Sequence, residues 1–456
     1  CSHFFSAPTA AMALQQWLQD AGGTAAVAAA RGAAGRAAPL QLKTTAYIAE
    51  DQPMLMVPSS RFISAESMLE EELKFLEKAF PEVIVPPFVL ALGLLLHGAQ
   101  GRDSKFHPLI KSLPSGAELR NLPSYMKPAE RRMLKGTDAF ALASNLDQEI
   151  TETYEQYVRP IAAAADSPFG GKVPPLSRWR WSLAITWRCS ITLPLPSAGQ
   201  RGESGGIKVL APFLCDAAHA DSAGLGESST SRNEPDGTAA ASRPLPAVAE
   251  ALLLPDHTLA LVARVALQPG AAVSVDFGAR SNAELIVARG EAVAGNAHDC
   301  VKFHVEASSL PQDGARRVRE EVLQRRYGLQ IGDQMKLLAD RVPVETVEAL
   351  AVMAASPKQL RKLAKVPTGT PLRLPSALEM LALENLVHAC QVRLGGYAAS
   401  LDADESALRA SEPGTAKHNA LLLRVYEQVA LLASGVGSRG RDSMATPYSI
   451  ARRRRL

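Results

Sequence analysis

Apolar residues along the chain follow two periods, and the changes from one to the other divide the sequence into blocks. Leu14, Trp17 and Leu18 fall at i, i+3 and i+4 ahead of Gly22 and Gly23, which predicts a short amphipathic helix over 11–20. An Ala/Gly/Arg segment without period runs on to Pro39 and reads as a loop, so 1–37 is a helix and loop ahead of the first domain. From Leu40 to Pro58 the texture alternates, first at Leu40 and Leu42 and then through Met54-Leu-Met-Val-Pro58, as half-buried strands do. Ser67-Met-Leu-Glu70 has the spacing of a capping box, and Leu69, Leu73, Leu76 and Phe80 follow at helical intervals. Helical patterning continues between loops through 87–97, 127–135, 146–157 and 177–189.

Strand character returns at 208–214, 259–266, 272–277 and 301–306. Between Ala220 and Pro246 lies a Ser/Gly/Ala/Asp/Arg tract that carries too little apolar surface to offset the entropy of ordering it, and it reads as a disordered insertion. Beyond Ser308 the pattern is helical to the end. A second capping box is expected at Ser376-Ala-Leu-Glu379, with Leu383, Leu386, Cys390 and Leu394 along one face and Gly395-Gly396 as the stop. A last helix near 415–433 carries Leu421, Leu422, Val425, Val429 and Leu432. The predicted fold class is therefore α+β: a β-fold over 38–310 with a helical insert near 67–205, an all-α domain over 311–436, and a basic flexible tail over 437–456.

Composition narrows the function. A formal charge of +3 over 456 residues gives no global case for nucleic acid, and the arginine run 452–455 reads as a solvated end. The basic stretch 316–326 interleaves Val318, Val322 and Leu323 and so reads as an amphipathic helix with a wet basic face. The longest apolar run, 84–96, is interrupted by Pro86 and Pro87 and is too short to span a bilayer, so it reads as a buried helix. Five scattered cysteines without a CxxC predict reduced thiols in an intracellular compartment, with no disulfide framework and no zinc site. Asp216 reads as a turn-capping carboxylate, and Asp256-His257 lacks a neighbouring ligand, so no metal is assigned. The chain opens on Cys1 rather than methionine, which fits removal of a targeting peptide.

Two stretches carry candidate chemistry: Leu210-Ala-Pro-Phe-Leu-Cys-Asp-Ala-Ala-His219, and 275–290, which opens Val275-Asp-Phe-Gly278. In each, a short apolar strand delivers small and polar residues to a turn, as a ligand approached by backbone requires. Leu214-Cys-Asp-Ala-Ala-His219 is similar to an Asp-x-x-Asn-His motif, and Phe277-Gly-Ala-Arg-Ser-Asn-Ala-Glu-Leu285 to a Tyr-Gly-x-x-Ser-Asn-x-Glu-Leu motif. Further pieces in the same order are the strand ending Val57-Pro58 and the segment Asp103-Ser-Lys-Phe-His-Pro-Leu-Ile-Lys-Ser-Leu-Pro114. With these motifs the chain resembles SET-domain protein-lysine methyltransferases of the Rubisco large-subunit methyltransferase type. The resemblance implies a SET domain with a helical insert, a helical substrate-binding domain, and methyl transfer from S-adenosylmethionine to a protein lysine. Such transfer depends on positioning and electrostatics.

The departures from that family fall on the positions that handle the cofactor. Its glycine-rich turn aligns with Ala38-Pro-Leu-Gln-Leu42, where Pro39 and Gln41 replace both glycines. Its cofactor-binding asparagine aligns with Ala218, leaving His219 of that pair; its catalytic tyrosine aligns with Phe277; and its later Tyr-Gly-Phe becomes Arg289-Gly290-Glu291. Trp187-Arg188-Cys189 stands at an Arg-Ser-Arg. The family's cofactor positions thus fall on Leu42, Ala218, His219 and Arg289, and its catalytic position on Phe277. One missing transition-state donor costs about a hundredfold in rate. The expectation is a catalytically weak or inactive SET protein that docks a protein partner through its C-terminal domain. S-adenosylmethionine is its cofactor if it has one. The implied setting is a chloroplast complex such as that of the plastid-encoded RNA polymerase, or else another soluble intracellular compartment, without a membrane or direct nucleic-acid contact. The alternative is an active S-adenosylmethionine-dependent lysine methyltransferase in which a neighbouring tyrosine, water or backbone group replaces the missing hydroxyl.

Overall fold

The computed structural model describes residues 10–31, 40–194, 206–220, 247–304, 311, 313–338 and 341–436. The insertion at 221–246, the tail 437–456 and residues 38–39 of the glycine-turn position lie outside them.

The fold is α+β and divides into two compact units. The first takes in Cys1–Tyr125, Ala143–Ala279 and Val287–Gly290, and the second Met126–Leu142, Arg280–Ile286 and Glu291–Leu456. In the first unit, the largest sheet among the described residues has six strands in the order Thr24–Ala25, Pro53–Val57, Leu259–Ala263, Ala249–Leu253, Ser274–Val275, Ala218–His219. The first four run antiparallel to one another, while Ser274–Val275 lies parallel to both Ala218–His219 and the Ala249 end of its other neighbour. Along Ala249–Leu253 every second residue is buried, the period expected of a strand with one face on a core. That core joins Leu42, Leu55, Val57, Leu261, Val273 and Val275 to Leu14 and Leu18 of the N-terminal helix. A three-stranded sheet places Gly206–Leu210 between Ile63–Ser64 and Ile191–Pro194.

A second core in the same unit belongs to helices that lie between the strands in sequence, chiefly Pro86–Gln100 and Leu176–Cys189. The apolar run 84–96 forms most of the former, and the ten residues from Phe88 to His97 are buried. Its Pro86 and Pro87 stand in the first turn, where a missing N–H costs nothing. The capping box is found three residues earlier than the sequence suggested. Ser64, extended at the end of its strand, is the N-cap; its side chain accepts from Ser67 N at 3.0 Å, and Ser67 answers at 3.4 Å. A strand end already supplies the non-helical backbone that an N-cap needs, and this settles the choice between the two serines.

In the second unit the helices Val344–Ala354, Ser376–Leu394 and Ala416–Val436 contribute to a core with Val301, Phe303, Met335 and Leu337. The expectation that everything past Ser308 is helical needs one correction. Gln334–Leu338 is a strand paired antiparallel with Cys300–His304, and its Met335 and Leu337 are buried while Gln334 and Lys336 are exposed. A second correction concerns Ser376, which is already inside its helix: Pro375 is the N-cap and makes no side-chain cap bond. The third concerns the cysteines, since Cys189 and Cys215, both buried, are joined across 26 residues, whereas Cys300 and Cys390 are free. The end of the Leu176–Cys189 helix and the turn at Leu214–Asp216 bring their Cα atoms to 4.3 Å, a proximity that spacing along the chain does not reveal.

Candidate functional site

Four of the five residues singled out as site positions meet around one short parallel pairing. Strands Ala218–His219 and Ser274–Val275 lie side by side, with Ser274 opposite Ala218 and Val275 opposite His219. Val273 N donates to Leu42 O at 2.8 Å, and Ala218 N donates to Val273 O at 3.1 Å, so Leu42, Val273 and Ala218 are linked through consecutive backbone bonds. Phe277 follows the strand; its N–H donates to His219 Nδ1 at 3.4 Å, and the two rings stand 6.3 Å apart. Leu42 is fully buried and Phe277 nearly so.

The fifth residue, Arg289, packs against this group. It ends the helix Asn282–Arg289 and is 2% exposed, although it carries a full charge. Its guanidinium donates to Arg188 O at 2.5 Å and to Ala217 O at 2.7 Å, and its central carbon lies 4.0 Å from the centroid of the Phe277 ring. Arg188 reciprocates by donating to Arg289 O. A buried cation needs hydrogen bonds and an anion or a π face, and here carbonyls and the Phe277 ring supply them. Gly290 then turns the chain at φ +72°, and an added Cβ there would meet the backbone of Asn121 at 2.9 Å.

Asp216 lies beside these arginines in the electrostatic sense. Burial pushes its carboxyl up to about 6, against the pull of Arg188 and Arg289, with Glu118 adding to the rise. What singles it out is a part-buried carboxyl within electrostatic reach of two arginines. Just ahead, Phe213 is held at φ +67°, the left-handed region that a bulky residue rarely occupies, so the entry to the turn Leu214–Asp216 stores backbone strain. Phe277 also lines a cavity of about 380 Å³ together with Thr192, Ala249, Val275 and Gly278, and the Glu250–Arg264 ion pair is among its walls. Sequence reasoning missed this ion pair, and it placed Arg188 only within Trp187-Arg188-Cys189 at an Arg-Ser-Arg position, without its partner Arg289. The signal for the ion pair is the facing register of Ala249–Leu253 with Leu259–Ala263, which only pairing reveals.

The Ser281-Asn-Ala-Glu284 motif belongs to the second unit and is structural. Glu284 accepts from Ser281 N at 2.9 Å while Ser281 Oγ accepts from Glu284 N at 3.3 Å. The side chain of Asn282 donates to Asp299 Oδ2 at 2.9 Å and to Val293 O at 3.0 Å. Burial raises Asp299 to about 6, against bonds from Asn282 and Cys300 that lower it.

The class these features define is the SET-domain fold. The solved SET domain of LSMT bound to lysine and AdoHcy is similar to this chain with a TM-score of 0.71 at 17% identity, covering 94% of this chain and 92% of that one. Rubisco LSMT bound to AdoMet gives 0.69 at 16%, covering 95% and 92%. The complex with sinefungin and monomethyllysine gives 0.68 at 16% over the same shares. No curated protein matches the sequence. More particularly, residues 311–431 match the family model for the Rubisco LSMT substrate-binding domain, so the chain joins a SET fold of the Rubisco LSMT type to that family's helical domain.

Proposed function

We propose that this protein is a protein-binding member of the SET fold in which the methyl-transfer site is closed. The single observation that carries the reading is the buried guanidinium of Arg289, packed on Phe277 and bonded to the carbonyls of Arg188 and Ala217. AdoMet, which a solved relative binds, is itself a sulfonium cation. A like charge brought beside the Arg289 guanidinium would be repelled. The residues present therefore do not fit the cofactor. Moving Arg289 aside would strip a buried charge of its bonds, and Ala218 offers no polar side-chain atom in return. Phe277 likewise has no hydroxyl to orient an attacking amine. Residues 311–431 would keep their role in holding a protein partner, and the resemblance suggests a chloroplast complex as the setting.

The test is transfer of a labelled methyl group from AdoMet to lysines in a cell extract. The native chain is expected to give none, and the triple substitution Ala218→Asn, Phe277→Tyr, Arg289→Tyr to give more than the double without Arg289→Tyr. Labelling of a specific lysine by the native chain would overturn the reading.

A further inference from the structure

A second cavity, of about 270 Å³, lies in the helical part of the first unit and shares no lining residue with the cavity at Phe277. Its walls come from the start of the Pro86–Gln100 helix, from Glu149, Ile150 and Thr153, and from Trp179, Leu183 and Trp187 of the Leu176–Cys189 helix. These last three stand at i, i+4 and i+8 and so form one stripe. Phe88 and Trp179 meet at 5.0 Å and 63°, giving two aromatic walls at an angle. Trp179 is held by its indole N–H, which donates to Thr153 Oγ1 at 3.3 Å. Trp187 is half-buried and Glu149 exposed, and Val85 beside them is 52% exposed.

The volume is below the 300–1,000 Å³ typical of small-molecule pockets, so one side chain fits better than a cofactor. Rings with a carboxylate among them suit a cation on an aliphatic stem, because aromatic faces attract a cation and the stem covers apolar wall. The charge on the walls agrees: Glu149 is the charged residue among them, and neither lysine nor arginine lines the cavity. We propose that this cavity receives a lysine side chain from a basic segment of a protein partner, its ammonium group held among Phe88, Trp179, Trp187 and the Glu149 carboxylate. The inference stands independently of the closed methyl-transfer site.

The experiment titrates the full chain with a short Gly/Ser peptide bearing lysines, with its Nε-trimethylated form and with a norleucine version, read by tryptophan fluorescence and calorimetry. Both cationic peptides are expected to bind, and the norleucine peptide to bind about tenfold or more weakly. Glu149→Gln, on the surface and so harmless to folding, is expected to weaken the cationic peptides by about tenfold. Trp187→Leu keeps apolar volume and should abolish the preference for the cation. Equal binding of the norleucine peptide would show an apolar anchor site, unchanged binding in both variants would show mere attraction to the acidic helix, and no saturable binding would show no site; each overturns the proposal.

Discussion

A buried guanidinium is stable only where donors and charge are matched, and at Arg289 this rests on the carbonyls of Arg188 and Ala217 and on the Phe277 ring. Arg289→Ala should cost about 3 kcal/mol in urea unfolding, since two carbonyls lose their donors and a cavity remains. Arg289→Lys should cost less and still lose the fork of bonds. Asp216 gives a pH signature. Its folded carboxyl titrates at about 6 against an unfolded value near 4, so the folded state binds the extra proton and stability falls as pH rises from about 4 to 6. Between pH 4 and pH 7 the native chain should lose about 2 kcal/mol relative to Asp216→Asn, measured by paired urea titrations. The motif positions Leu42, Ala218, His219 and Phe277 were legible as a group. That Arg289 is folded inward was not, because a charged residue ending a helix reads on sequence alone as solvated.

Caps and cross-links decide how the elements join. Ser64→Ala should cost about 1 kcal/mol, because Ser64 is the N-cap. Ser376→Ala should lie within about 0.5 kcal/mol of the native chain, because Pro375 takes that place. Thermal or urea melts of the two variants separate the cases. Cys189→Ser should cost about 3 kcal/mol by releasing a loop closed across 26 residues. Helical periodicity was legible at Leu176–Cys189 and Ala416–Val436, where long apolar stripes repeat. Gln334–Leu338 escaped because five alternating residues between helical stretches carry little signal, and only pairing with Cys300–His304 makes them a strand.

The second unit draws on distant parts of the sequence. Asp138 accepts from Arg393 at 2.5 Å and from Lys302 N at 2.6 Å, while Glu427 accepts from Asp138 N at 3.1 Å and from the Tyr397 hydroxyl. Burial carries Glu427 up to about 8, with Asp138 adding to the rise. A fragment of 311–436 lacks both Asp138 and the strand Cys300–His304, leaving Gln334–Leu338 as an open edge. It should therefore melt less cooperatively and aggregate more readily in scanning calorimetry than the full chain. The order of strand-rich and helical blocks could be read from periodicity, whereas the contribution of 126–142 to the second unit could not, since it rests on contacts across more than a hundred residues. At this scale the proposal to be tested is that the Arg289 guanidinium, packed on the Phe277 ring, leaves no place for a sulfonium cofactor. Calorimetric titration of the native chain with AdoMet tests it most directly. No saturable heat up to millimolar cofactor is the predicted result; a micromolar dissociation constant would contradict it.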